Sequence, residues 1–427
     1  MDRRAFLTRA PAAAALGLAP GLVPHNETLR LLGQVDPSVT RRLDALGQAS
    51  RTLPDDEFWK AVRTEFMLNP GVAHFNCATL GATPHVILDA IAAAMREIEG
   101  SPAVNVFGPV GARMVEVKRQ AAAFLGSKPD ETVLTRNTTE GMNMVAEGID
   151  FQPGDEVLTT THEHHGGLVG WEHAEKYRGI RIIKVPIPAP ARDAGQIVQA
   201  IRDGITDRTR VISVSHVCTI TGIRMPLAQI AALARPRGIL LVCDGAQAPG
   251  MLEIDVKALG VDTYASSSHK WMLASKGTGL LYIRKEIQER VHPIFLFSGY
   301  SPYTASSGTR NVAQILGHGV AMAFHQRIGV AKVEQRCLSL AALLRDQLAA
   351  LEGLHFLTSS DPELASGIVS VGLDRARNGE VATALRSQDI IVKVIPIPDY
   401  NGLRFSTHIY NSERDVERLV TALQKLL

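Results

Sequence analysis

The sequence predicts an α/β protein. A large domain is expected on a mostly parallel, seven-stranded sheet sandwiched by helices, followed by a smaller C-terminal α+β domain. Three observations predict it. Seven short runs, ETVLT, DEVLTT, RIIKVPI, TRVISVSHV, GILLVCD, DTYASSS and TGLLYIR, recur between residues 131 and 284. Most are apolar throughout instead of alternating, the pattern of strands covered on both faces. Helical stretches such as EGMNMVAEGI, GQIVQAIRDGI and PLAQIAALARPRG lie between several of them, as a parallel sheet requires. From about Asn311 the texture changes to long helical patterns, then short strands and a final amphipathic stretch, SERDVERLVTALQKLL.

The elements follow in order. MDRRAFLTRAPAAAALGLAPG has a basic start, a short Ala/Leu run and a Pro/Gly break, the layout of an export signal over residues 1–30. Arg3 and Arg4, followed by Phe6 and Leu7, resemble a twin-arginine signal, so an exported, periplasmic protein is expected. The apolar run is too short for a stable membrane span. Residues 31–67 read as a mixed, charged N-terminal arm with helical spacing in DPSVTRRLDALGQ. Residues 68–310 form the large domain and 311–427 the small one.

Bulk composition excludes some classes. The chain has 427 residues, 45 Lys+Arg against 43 Asp+Glu, and a formal net charge of +2. No basic stripe with interleaved aromatics stands out, so a nucleic-acid partner has no electrostatic basis. The four cysteines, Cys77, Cys218, Cys243 and Cys337, form no CxxC pair and no zinc spacing.

Four motifs fall at strand ends, where open α/β sheets bind ligands. TRNTTEGMN puts Thr138 and Thr139 between a strand and a helix, where hydroxyls and free N–H groups make an anion site; simple N-capping is the plainer alternative. THEHHGGLVGW follows a strand with a glutamate and three histidines. A metal would need a further spaced ligand, while a flat imidazole suits stacking on an aromatic cofactor. LLVCDGAQAPG drives an apolar strand into Asp244, a carboxylate that must be paired there. A protonated pyridine nitrogen is one such partner, and a turn-capping Asp the alternative. SSSHK sets Ser267 and His269, able to hold a phosphate, beside Lys270, whose amine condenses with an aldehyde. Together the four supply what pyridoxal 5'-phosphate (PLP) needs: a Schiff-base amine, an acid for the ring nitrogen, a stacking partner and a phosphate cup.

With these motifs in order, T-T-E-G, E-H-H, D-G-A-Q, S-x-H-K, G-T-x-N and a late arginine, the chain resembles the class V aminotransferase family of PLP fold type I. That family includes cysteine desulfurases and isopenicillin N epimerase-like proteins. The resemblance covers roughly Asn76 to the C-terminus. It implies Lys270 as the Schiff-base lysine, Asp244 at the pyridine nitrogen and His164 stacked on the ring. It implies Gln247 at the ring hydroxyl and Ala246 below the ring. Thr138, Thr139, Ser267 and His269 would hold the phosphate. Thr309 would reach the phosphate of a neighbouring subunit, which implies a homodimer with shared sites. Arg404 would clamp the substrate carboxylate, with Asn76 in the substrate site.

Two departures bear on activity. Desulfurase-like members usually carry an Asn where Thr219 stands. The segment Ser387–Asn401 also lacks the mobile cysteine that desulfurases need before the late arginine. Cys218 and Cys243 lie within or at the ends of apolar strands, where a small buried hydrophobe is the plain reading, and Cys77 lies in the segment FNCATLGATP, which matches the family's N-terminal active-site segment and implies a position lining the pocket. The expected activity is amino-acid transamination or epimerisation. A C–S β-lyase without a catalytic cysteine, or an exported PLP-binding protein without turnover, are the alternatives. The loops Ser101–Val110 and Gly299–Ser307 are expected to choose the substrate side chain.

Overall fold

The computed structural model describes residues 37–395 and 400–427. The expected export signal therefore lies outside the described residues. The N-terminal arm carries helices Pro37–Thr52 and Asp55–Arg63. Val39, Leu43, Leu46, Phe58 and Val62 recur at helical spacing and are buried against the main body.

The strands are, in chain order, β1 (Ala73–His74), β2 (Thr132–Thr135), β3 (Glu156–Thr160), β4 (Arg181–Val185), β5 (Thr209–Ser215), β6 (Leu240–Asp244), β7 (Thr263–Ser267), β8 (Gly279–Ile283), β9 (Leu354–Phe356), β10 (Ile368–Leu373), β11 (Ile390–Ile391), β12 (Lys393–Ile395) and β13 (Gly402–Ser406). Strands β2 to β8 are the seven runs read from the sequence. They form one sheet in the order β2-β8-β7-β6-β5-β3-β4. The pairs β4–β3, β3–β5, β5–β6 and β6–β7 are parallel, whereas β8 runs antiparallel to both β7 and β2. This is the α/β architecture expected from the sequence, with a smaller C-terminal sheet domain beside it.

The sheet separates two cores by the two-residue period of its strands. Leu241, Cys243, Ile212, Val214 and Leu280 face one side. Leu240, Val242, Val211, Ala265 and Leu281 face the other. Trp171, fully buried on that second side, donates its indole N–H to Ser213 Oγ at 2.9 Å. The helix around Trp171 is longer than its sequence pattern suggested and spans His165–Arg178.

Strands β12-β13-β10-β9 form a second, antiparallel sheet. Its core packs Val369, Val371, Leu403 and Phe405 against Leu340, Leu344 and Leu348 of helix Val330–Leu348 and against Leu419 and Leu423 of helix Glu413–Gln424. Helix Val312–Ile328 starts where the small domain was expected to begin. Its buried side chains, among them Leu316, Met322 and Phe324, nevertheless belong to the core of the large sheet. The two-stranded parallel pair β1–β11 ties the segment after the arm to the small domain. That segment, residues 75–81, then runs toward Lys270.

Candidate active site

The carboxyl ends of the parallel strands, the segment Ala78–Thr79 and the edge strand β12 surround a cavity of about 660 Å³. Of the residues expected in a site, Thr138, Thr139, His164, Asp244, Ala246, Ser267, His269, Lys270 and Arg404 all border it. They come from five separate stretches of sequence, which the sheet brings to one place.

The phosphate-cup candidates are tied together by Ser267, the last residue of β7. Its Oγ accepts the Thr138 backbone N–H at 2.9 Å and lies 2.8 Å from Thr138 Oγ1. Asn137 caps the helix Thr138–Gly148 by accepting the Glu140 N–H at 2.9 Å. Its N-terminus, with the positive end of the helix dipole, therefore points into the cavity.

Asp244 ends β6, and its Oδ1 accepts the Ala246 N–H at 2.9 Å. Burial raises its pKa, opposed by that N–H and by Lys270. The helix His165–Arg178 approaches Asp244 closely because residue 167 is glycine: a Cβ there would lie 2.7 Å from Asp244 Oδ2. His164 caps this helix through Nδ1, which accepts the Gly166 N–H at 3.0 Å. That bond fixes the orientation of an otherwise exposed ring at the cavity wall.

Lys270 follows β7 on a backbone held from several directions. The His269 carbonyl accepts from Gly81 N at 2.9 Å, and the Lys270 carbonyl accepts from Cys77 Sγ at 3.4 Å. The Trp271 carbonyl accepts from His408 Nε2 at 2.7 Å, and the Met272 carbonyl from His325 Nε2 at 3.1 Å. His408 Nδ1 accepts the Ile409 N–H at 2.7 Å, so its proton sits on Nε2, facing Trp271. Burial pushes His408 down to about 3 and His325 down to about 4, which keeps both rings neutral.

Burial also lowers the Lys270 amine to about 8, with Asp244 opposing and Arg404 adding to the shift. The neutral amine is the form that attacks an aldehyde. Its population rises about tenfold per pH unit below the pKa. Covalent capture of PLP by the apoprotein should therefore accelerate up to about pH 8 and level off above it. The growth of the visible absorption band after mixing, followed from pH 6 to 10, is the measurement. A rate still climbing tenfold per unit at pH 10 would contradict the assignment.

Arg404, on β13, is buried, and both of its terminal nitrogens are engaged. Its Nη1 donates to Thr219 O at 2.9 Å and Thr219 Oγ1 at 2.8 Å. Its Nη2 donates to Thr79 Oγ1 at 2.8 Å and Asn76 Oδ1 at 3.3 Å. Asn76 thus stands behind Arg404 and does not border the cavity. Gln247 likewise lies behind the wall. It donates to Ala78 O at 2.9 Å and Thr219 Oγ1 at 3.1 Å, and accepts from Trp271 Nε1 at 2.8 Å. Thr219, where an Asn was expected of desulfurase-like proteins, borders the cavity itself.

Other expectations fall elsewhere. Thr309 is exposed and lines a different recess, with Phe107, Tyr303 and Arg310. The loops Ser101–Val110 and Gly299–Ser307 contribute to that recess and not to the cavity around Lys270 within one chain. In their place Ile220, Lys393, Val394 and Ile395 border the cavity. Glu163 does so too, with no role assigned from the sequence. Its carboxylate accepts from Thr160 Oγ1 at 2.6 Å and Ser215 Oγ at 2.5 Å, and burial raises it to about 7. The signal available was a hydroxyl at the end of each adjacent strand. All four cysteines are buried and free, and burial pushes the Cys77 thiol up to about 12.

The residues present fit PLP. Buried polar atoms without partners are rare and costly in folded proteins. Here His269 Nδ1 and Arg404 Nε are such atoms, both on residues that border the cavity. Asp244 is a buried carboxyl that lacks a full positive partner, which a cationic ring nitrogen would supply, and the lowered pKa of Lys270 suits an aldehyde.

Fold and site together define a PLP-dependent enzyme of fold type I. The chain belongs to the class V aminotransferase family: the family model "Aminotransferase class-V" matches residues 74–419. Among curated relatives, an isopenicillin N epimerase of Amycolatopsis lactamdurans is 30% identical over 396 residues, covering 86% of this chain and 98% of the relative. A probable cysteine desulfurase of Methanothermobacter thermautotrophicus is 26% identical, covering 86% and 97%. Among solved structures, a lysine-to-alanine mutant of C-DES with glycine covalently linked to its PLP cofactor superposes with a TM-score of 0.79. It is 25% identical and covers 88% of this chain and all of that one. C-DES is described as a cystine C–S lyase in a second structure, with a TM-score of 0.77.

Proposed function

We propose that the protein moves the Cα proton of an α-amino acid, as an isopenicillin N epimerase-like enzyme or an aminotransferase. The observation that carries this reading is the composition of the cavity: a lysine of lowered pKa and no cysteine among the described residues that border it. PLP supplies, when bound, an electron sink for the charge left at Cα. Lys270 removes and returns the proton at Cα. Asp244 would keep a proton at the ring nitrogen, His164 would stack on the ring, and Thr138, Thr139, Ser267 and His269 would hold the phosphate. Gln247 supports the ring-hydroxyl side together with Thr219. Arg404 binds the substrate carboxylate, exchanging hydroxyl partners for it while Asn76 keeps the guanidinium oriented.

Return of a proton to the opposite face of Cα would give epimerisation, and loss of the amino group from a Cα that is not reprotonated would give transamination. A C–S lyase is the second reading, supported by the likeness to C-DES. Incubation of the loaded protein with L-amino acids in heavy water separates the three. Cα deuterium with D-product supports epimerisation, a keto acid without ammonia supports transamination, and pyruvate with ammonia supports the lyase. A cofactor band that responds to no amino acid would overturn all three.

Two further expectations remain part of this proposal. Thr309, exposed beside Phe107 and Tyr303, supports a homodimer in which that residue serves a second copy's site. The Arg3–Arg4 start supports export. Among the described residues no helix is long and apolar enough to cross a membrane.

A further inference from the structure

Strands β12 and β13 are antiparallel neighbours, and Lys393 stands directly opposite Arg404. Residues so paired share a face of the sheet, with Cβ atoms roughly 5 Å apart, and like charges at such positions weaken the pairing. No ion pair relieves this one among the described residues: neither Lys393 nor Arg404 takes part in any. The two acids that border the cavity, Glu163 and Asp244, interact with each other and with Lys270 and His164. The sheet therefore carries an uncompensated pair of cations, and both members border the cavity.

The two cations differ in depth. Arg404 is 5% exposed and braced by Thr219, Asn76 and Thr79. Lys393 is exposed, and its side chain makes no hydrogen bond among the described residues. In an α-amino acid the α-carboxylate lies one carbon from the amine, so it must bind deep, where Lys270 is. Lys393 is left for a group farther along the substrate. The wall beside it is apolar, built by Ile220, Val394 and Ile395. Such a wall suits methylenes between two charged ends.

We propose that Lys393 is a specificity residue that recognises a second, distal carboxylate, and that the substrate class is α-amino acids with an acidic side chain. This deepens the proposed function and rests on it. Arg404 takes the α-carboxylate, Lys393 the ω-carboxylate, and the apolar edge of β12 the chain between them. A neutral or cationic side chain leaves Lys393 without a partner or repels it.

The test is a spectral titration of the PLP-loaded protein. L-Glutamate and L-2-aminoadipate are compared with L-glutamine, L-norleucine and L-lysine, in the wild type, in Lys393→Met and in Lys393→Glu. The wild type should bind the acidic pair roughly tenfold more tightly, as expected for a charge-assisted contact at a partly solvated site. That preference should shrink as salt is raised. Lys393→Met should bring the acidic pair to the affinity of the neutral pair. Lys393→Glu should reverse the order in favour of L-lysine. A wild type that does not prefer acidic side chains, or a preference that survives in Lys393→Met, overturns the inference while leaving the proposed function standing. A cofactor band that responds to none of these amino acids overturns both.

Discussion

Lys270→Ala should lower turnover by about a thousandfold or more while leaving the protein folded. The size follows from losing both the covalent hold on the cofactor and the group that moves the proton. The stability effect has the opposite sign from most lysine truncations. The folded-state pKa of Lys270 is about 8, below the 10.5 of an ordinary lysine, because burial disfavours the charged amine. Between those two values the unfolded chain binds a proton that the folded chain does not. The destabilising contribution is therefore fully present below about pH 8 and is relieved as pH rises toward that of a free lysine. Alanine should leave the melting temperature of the apoprotein unchanged or raise it, with the larger gain below pH 8. A variant that melts well below the wild type at pH 7 would mean that Lys270 is a structural group and not a reactive one.

Gly81→Ala should be among the most damaging single methyl groups near the site. Gly81 donates its N–H to His269 O at 2.9 Å. A Cβ at this position would lie 2.1 Å from Lys270 O and 2.9 Å from Leu273 Cδ2. Backbone cannot yield as a flexible side-chain tip can. Leu273 already sits at φ 59°, a left-handed conformation that a leucine rarely adopts, so the turn has little freedom left to absorb a shift. Overpacking of this kind costs about 3 kcal/mol, and it should also move Lys270 enough to slow PLP capture. Gly100→Ala is the control, since nothing lies within 4 Å of a Cβ there; its effect should stay within about 0.5 kcal/mol. Equal thermal shifts for the two variants would show that the close approach at Gly81 is not limiting.

Much of the fold was legible because its strands are buried on both faces. Such strands read as continuous apolar runs, and each of the seven runs became a strand. The reversed direction of β8 was also readable in principle. Residues 268–278 join β7 to β8 without a helix, and a parallel return needs a longer crossover. The reactive residues were legible because polar groups ending apolar strands are anomalous. Asp244, Ser267 and Lys270 stood out for that reason. What escaped were residues whose meaning depends on partners distant in sequence. Glu163 gains its raised pKa from burial and from nearby Asp244, against the lowering pull of the Ser215 and Thr160 hydroxyls; Lys393 gains its interest from lying across from Arg404. Neither arrangement leaves a local pattern. Asn76 and Gln247 were named through family likeness, and the structure sets them one layer behind the wall. The assignment of helix Val312–Ile328 to the small domain followed a change in sequence texture, whereas its packing is decided by which sheet its buried face meets.

The four consecutive carbonyls from His269 to Met272 are gripped by residues 77, 81, 325 and 408. Those anchors span most of the chain, from the segment after the arm to the last strand. A nascent or truncated polypeptide lacking either extremity cannot fix the lysine. Cofactor capture thus acts as a checkpoint for assembly: colour should arrive late during refolding, and a chain that has turned yellow has already brought residues 77 and 408 to the same turn.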